Sequence, residues 1–286
     1  GASRFQMIRG PRVGRRQGRV IRYRAVALLC GLLACAGCAA DIPSDRDTLV
    51  VAGPLVSLQA ETLALPPGSP QLPALLADPQ GWQPEPGAGG VERSSARGDF
   101  DAGGWLRTMV FSWDGSRGWE VHMAYGEGKR PPPATVRIWL RAPQGSGQPD
   151  WPMGEGTVRY AGATRTLSYK GRRPGIEGRE DYERSLTLGA SNRVELEEST
   201  SVAPDGAPVH KRRQVLARDA QGHPLDDAEL LEGAEYRVSN HYFLPDGRGN
   251  PRRIVRLYRA AGAAQDAPVL RAEVILRTLR YQDETR

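Results

Sequence analysis

Cysteine is scarce: the 286 residues hold three, Cys30, Cys35 and Cys38, and none follows. A fold stapled by disulfides is thereby excluded for everything beyond residue 38. A zinc site needs several Cys or His ligands at short spacing, and the nearest histidine to the cysteines is His122. The four histidines, His122, His210, His223 and His241, form no metal-ligand pattern, so neither a metal nor a cofactor is expected. The chain also lacks a G-x-S-x-G elbow, a P-loop, a G-x-G-x-x-G loop and an H-E-x-x-H helix. Glycoside hydrolysis needs two carboxylates about 5–9 Å apart. Acids such as Asp114, Glu120, Glu127, Glu180, Asp181, Glu195 and Glu197 offer no pairing that spacing alone can assign. No catalytic residue stands out, and a non-catalytic role is expected.

Long apolar runs are missing as well. The run Ala25–Gly37 has 13 residues, short of the roughly 20 that a lone membrane-spanning helix requires. Arg22 and Arg24 precede it and small residues end it, which is the build of a secretory signal peptide. Placed there, Cys35-Ala-Gly-Cys38 does not suit a redox pair, which opens a helix after a strand. The end of the run, Cys35-Ala36-Gly37-Cys38-Ala39-Ala40, resembles a bacterial lipobox, with small residues before an acylated cysteine. It departs from that pattern at Cys35, where leucine is usual, and Cys35 itself is the second choice of lipidation site after Cys38. The resemblance implies an acylated Cys38. Ala39 in place of aspartate implies an outer-membrane anchor, with the body facing the periplasm or the cell surface.

That placement changes the meaning of the charge. The chain has 39 basic and 33 acidic residues, net +6. Eight arginines and no acid precede Cys38, which leaves 31 against 33, net −2. The basic balance gives no ground for a nucleic-acid partner. The expected partners are the membrane, through the lipid anchor, and an envelope protein or a glycan.

Four regions are expected: a signal peptide to residue 37, an anchor and Pro/Gly-rich tether over 38–90, a Trp-rich part over 91–150, and a β-rich part over 151–286 continuous with it. A short apolar patch, Leu72 to Leu76, offers a docking point for the tether. Beyond residue 100 the pattern alternates with a period of two, and eleven segments read as strands: 105–113, 118–125, 134–142, 157–162, 164–169, 183–189, 192–202, 209–218, 234–244, 252–260 and 269–281. Residues 223–233, "HPLDDAELLEG", read as one short helix closed by Gly233. The expected class is mainly β, an antiparallel meander forming a sandwich or a partly open barrel. The segments 201–218 and 242–259 repeat weakly, and their basic pairs Arg212-Arg213 and Arg252-Arg253 read as exposed.

Tryptophan is confined to one stretch: Trp82, Trp105, Trp113, Trp119, Trp139 and Trp151. With Arg107 and His122 nearby, Trp82, Trp105, Trp113, Trp119 and Trp151 are candidates for a glycan-stacking surface. A tryptophan-rich core suits the same alternation, and both readings stay open.

Overall fold

Alternation of small or apolar residues with polar ones runs through almost the whole chain, and the backbone forms strands along it. A computed structural model describes residues 43–126, 134–171, 180–202 and 206–284. The lipobox-like stretch, with Cys35 and Cys38, lies outside the described residues. The strands are β1 (Leu55–Leu65), β2 (Glu92–Phe100), β3 (Leu106–Trp113), β4 (Glu120–Tyr125), β5 (Ala134–Arg141), β6 (Trp151–Ala161) and β7 (Thr164–Gly171). They continue as β8 (Glu180–Leu188), β9 (Val194–Val202), β10 (Pro208–Arg218), β11 (Pro224–Leu231), β12 (Ala234–Pro245), β13 (Pro251–Ala260) and β14 (Arg271–Tyr281). Each pairs antiparallel with the next, and β1 pairs with β14, with Leu63 opposite Val274, so the sheet closes into a barrel.

The antiparallel meander is as expected, but it is neither a sandwich nor a partly open barrel. The closing strand, β1, lies in the segment that composition assigns to the tether. Its inner residues Leu58 and Ala60 join the core, and its outer residues Leu63 and Leu65 are also buried. The segment between β1 and β2 is bound to the body too. Helix α1 (Leu72–Ala77) sets Leu72 and Leu75 against Val255, Leu257, Ala272 and Val274 on the outside of the wall. Trp82 closes this patch, and Arg253 holds the loop, donating from Nε to the carbonyl of Pro79 (2.9 Å) and from Nη2 to that of Trp82 (2.8 Å).

The helix expected over 223–233 is strand β11. Gly233 caps no helix: Glu232 and Gly233 both have positive φ, 55° and 78°, and join Leu231 to its partner Ala234 in a two-residue hairpin turn. Helix propensity is overridden because Asp227 and Glu229 alternate inward and pair with Arg213 on β10 and Arg256 on β13. Nor are both basic pairs exposed. Arg213 binds Asp227 inside the barrel, and Arg253 is 1% exposed beneath the loop.

Inside and outside differ sharply. Met109, Phe111, Val136, Ile138, Val158, Leu167 and Leu186 point inward and are buried. Outward positions carry Gln59, Arg97, Arg137, Glu155, Arg159, Lys170, Glu183, Arg212 and Arg237, all exposed. Fourteen strands make a wide ring, yet Val136, Val158 and Leu186 are 0% exposed. Side chains therefore fill this part of the interior.

Candidate ligand-binding site

The interior changes character toward β9–β14. Arg256 on β13 is the hub: its Nε donates to Asn240 (3.0 Å), its Nη1 to Glu273 (3.1 Å) and to the Tyr258 hydroxyl (2.8 Å), and its Nη2 to Glu229 and Asp227. Asp227 also accepts from Arg213 Nη2 (2.8 Å) and Asn240 (3.0 Å). Burial pushes the Asp227 carboxyl up, but the charges of Arg213 and Arg256 and the hydrogen bonds from Asn240 and Arg213 outweigh it and hold it below the usual range. For Glu229 burial wins over the same arginines, and its pKa is raised. Arg184 on β8 likewise binds Glu197, with Nε at 2.8 Å.

One end of the barrel is closed by the chain that leads into β1. Arg165 donates to the carbonyl of Pro43 (2.9 Å), and buried Asp45 accepts from the amide of Leu106 (2.7 Å). Arg193 donates to the carbonyls of Asp47 (2.7 Å) and Leu49. Asn250 brackets Ala52, accepting from its amide (2.7 Å) and donating to its carbonyl (2.9 Å). Leu49 and Val51 rest on the core. Residues 43–52 thus form a plug pinned from both sides of the mouth.

Beneath the plug lies a cavity of about 140 Å³. Leu58, Ala60, Ile254 and Ile275 make its apolar side. Arg193, Arg213, Arg218, Arg256 and Arg277, with His223 and Tyr242, make its polar side, and no carboxylate lines it. The Tyr242 hydroxyl donates to the carbonyl of Pro224 (2.5 Å), and burial raises its pKa. On this wall His223 is held by Asp219 through Nδ1 (3.0 Å), and its ring lies 4.9 Å from that of Tyr242. The cavity suits binding: an apolar surface facing fixed positive charge. Among the described residues no cluster of His, Cys, Asp and Glu is placed to hold a metal ion.

No family model matches the chain, and no curated protein matches it. Solved structures do. A porin-like protein from Bacteroides vulgatus is 14% identical, with a TM-score of 0.39 over 66% of this chain and 94% of that one. A porin-like protein from Bacteroides uniformis is 9% identical, with a TM-score of 0.35 over 80% of this chain and 99% of that one.

The residues singled out by sequence do not meet at this cavity. Trp82 is buried on the outer wall under α1. Trp105 and Arg107 stand at the start of β3, and Trp113 ends that strand, roughly 25 Å away at 3.3 Å per residue. Trp119 shares the β3–β4 turn with Trp113, through Ser116. His122 faces outward on β4, stacked on Trp139 (5.3 Å between centroids) and 2.9 Å from Glu120. Trp151 is exposed at the start of β6. Trp82 and Trp105 thus stand apart, while Trp113, Trp119, His122 and Trp151 lie toward one end of the neighbouring strands β3–β6. The residues missed are Arg213, Arg218, Tyr242, Arg256 and Arg277. The available signal was charge at regular alternation, as in Arg271-x-Glu273-x-Ile275-x-Arg277, which puts ionic groups on the same face as apolar ones.

Proposed function

We propose that this protein is an envelope lipoprotein whose water-facing barrel binds an amphiphilic molecule without chemistry. The observation that carries the reading is the sense of the alternation. A barrel that crosses a bilayer turns apolar residues to lipid and polar ones to its lumen. Here charged and polar residues cover the outward positions of β2–β8, with mainly apolar residues inside, and the outward apolar residues of β1, β13 and β14 lie under α1 and Trp82 instead of standing open. Carriers of small apolar ligands are built in this sense, with a site at the barrel mouth. The cavity under the plug fits that position. The outer membrane enters through the lipid anchor on Cys38. Five residues from Cys38 to Pro43 reach at most about 18 Å, so anchoring there would keep the plugged mouth beside the membrane surface.

Two measurements test this. A chain with both Cys35 and Cys38 changed to serine should leave the membrane fraction and stay soluble; a protein that remains membrane-integral contradicts the water-facing barrel. The neutral probe N-phenyl-1-naphthylamine should bind saturably, with long-chain amphiphiles displacing it. Probe fluorescence that never saturates would rule out the binding role.

A further inference from the structure

We propose that the cavity beneath residues 48–51 is an anion site, in which Arg277 receives the carboxylate or phosphate head of the bound amphiphile. This deepens the binding role and rests on it for the apolar part of the ligand. Four of the five arginines on the cavity wall are already engaged. Arg213 holds Asp227, and Arg256 holds Asn240, Glu229 and Glu273. Arg218 donates to the carbonyls of Gly222 (2.8 Å) and Val194 (2.6 Å), and Arg193 to those of Asp47 and Leu49. Arg277 differs. Its Nε and Nη2 are buried and have no hydrogen-bond partner among the described residues.

A buried guanidinium with idle donors is costly, and a charged acceptor from outside removes the cost. The neighbouring carboxylate does not serve, because Asp246 is committed elsewhere. Its Oδ1 takes the amides of Arg248 (2.8 Å) and Asn250 (2.9 Å), and its Oδ2 takes the Tyr281 hydroxyl (2.5 Å). Burial, opposed by Tyr281, Tyr242 and Asp246, brings Arg277 down to about 10, so it is still a cation at neutral pH. The planar fork of a guanidinium matches a carboxylate or phosphate. Ile275 precedes it by one inward position and lines the same cavity. A head on Arg277 therefore leaves its tail against Ile275, Ile254 and Leu58.

The test uses the full chain and four competitors of the neutral probe: dodecanoic acid, dodecyl phosphate, dodecanol and inorganic phosphate. The acid and the alkyl phosphate should bind at least tenfold tighter than the alcohol. Arg277→Met should abolish that difference and raise the thermal midpoint of the empty protein by about 2–4 °C, since a stranded charge is gone. Equal affinity for acid and alcohol, or a preference that survives in R277M, overturns the site. If R277M does not fold, Arg277→Lys is read instead: losing the fork should cut the preference at least threefold, and an unchanged preference overturns the site. Inorganic phosphate that stabilises the wild type alone, and not the variant, identifies a free anion as sufficient. A requirement for the alkyl chain identifies a lipid head; either supports the site. Failure of the neutral probe removes the carrier role, while a phosphate-induced thermal shift lost in the variant still reports the anion site.

Discussion

The two halves of the barrel solve burial in opposite senses. Along β2–β8 the inner face is apolar apart from Arg165 and Arg184 and the outer face meets water, as Phe111, Ile138 and Leu186 against Arg97, Arg137 and Glu183 show. Along β10–β14 the inner face carries Arg213, Asp227, Glu229, Arg256 and Glu273, while Val255, Leu257, Ala272 and Val274 are buried on the outer face. The difference is what covers each face. Helix α1 and Trp82 lie over the outside of β13, β14 and β1, so apolar groups can face outward there. The inner face is then free to hold charge, provided each group finds a partner. Strand alternation fixes that two faces differ; the covering element decides which one is oily.

The largest expected effect comes from unbalancing the ionic half. Asp227→Ala removes the carboxylate that Arg213, Arg256 and Asn240 share, leaves two arginines competing for Glu229, and should cost about 3–5 kcal/mol, read as a fall in the urea midpoint. Leu186→Ala in the apolar half removes only packing, with an expected cost of about 2–4 kcal/mol. If D227A is the milder of the two, water reaches the network and the two interiors are not as different as their partners suggest. Acid separates them further. The Asp227 carboxyl is depressed in the folded protein, so its contribution is complete above the unfolded value of about 3.9 and lost as pH falls below it. The raised Glu229 acts with the opposite sign, because folding resists its ionisation and protonation relieves that cost. In D227A the drop in stability below about pH 4 should shrink relative to wild type, whereas in L186A it should be unchanged.

Much of the apolar half was legible in sequence. The expected strands fall on β3 to β10 and β12 to β14, because one covered face and one wet face give clean alternation. Closure was not legible. It depends on β1 pairing with β14 across almost the whole described chain, and β1 sits beside a proline-rich stretch that composition reads as a tether. The ionic half was legible only as strands, and one of them, β11, resembles a helix by composition. Its acids make sense only beside Arg213 and Arg256, which local pattern cannot place. For the same reason Arg277 was invisible as a site: in "RAEVILRTLRY" the run Ala272, Val274, Leu276 looks like the buried inner face, and it is the outer face under α1. The tryptophans drew attention through clustering in sequence, and the fold spreads them over both ends and the outer wall of the barrel.

The smallest effects sharpen the comparison on the outer face itself. Arg237 and Arg253 both point outward from neighbouring strands. Arg237 pairs with Asp226, Nε to Oδ1 at 2.8 Å, in open water; Arg253 is sealed under the loop with two backbone acceptors. Arg253→Ala leaves two buried carbonyls short of a donor and loosens α1, and should cost roughly 2–3 kcal/mol. Arg237→Ala loses an exposed pair that salt already screens, and should cost no more than about 1 kcal/mol. Denaturant melts at low and high salt distinguish the two: the Arg237 cost should fade as salt rises, and the Arg253 cost should persist. Equal costs would mean that the loop over β13 stands open to solvent, and the outward apolar patch that lets charge occupy the inner face would lose its cover.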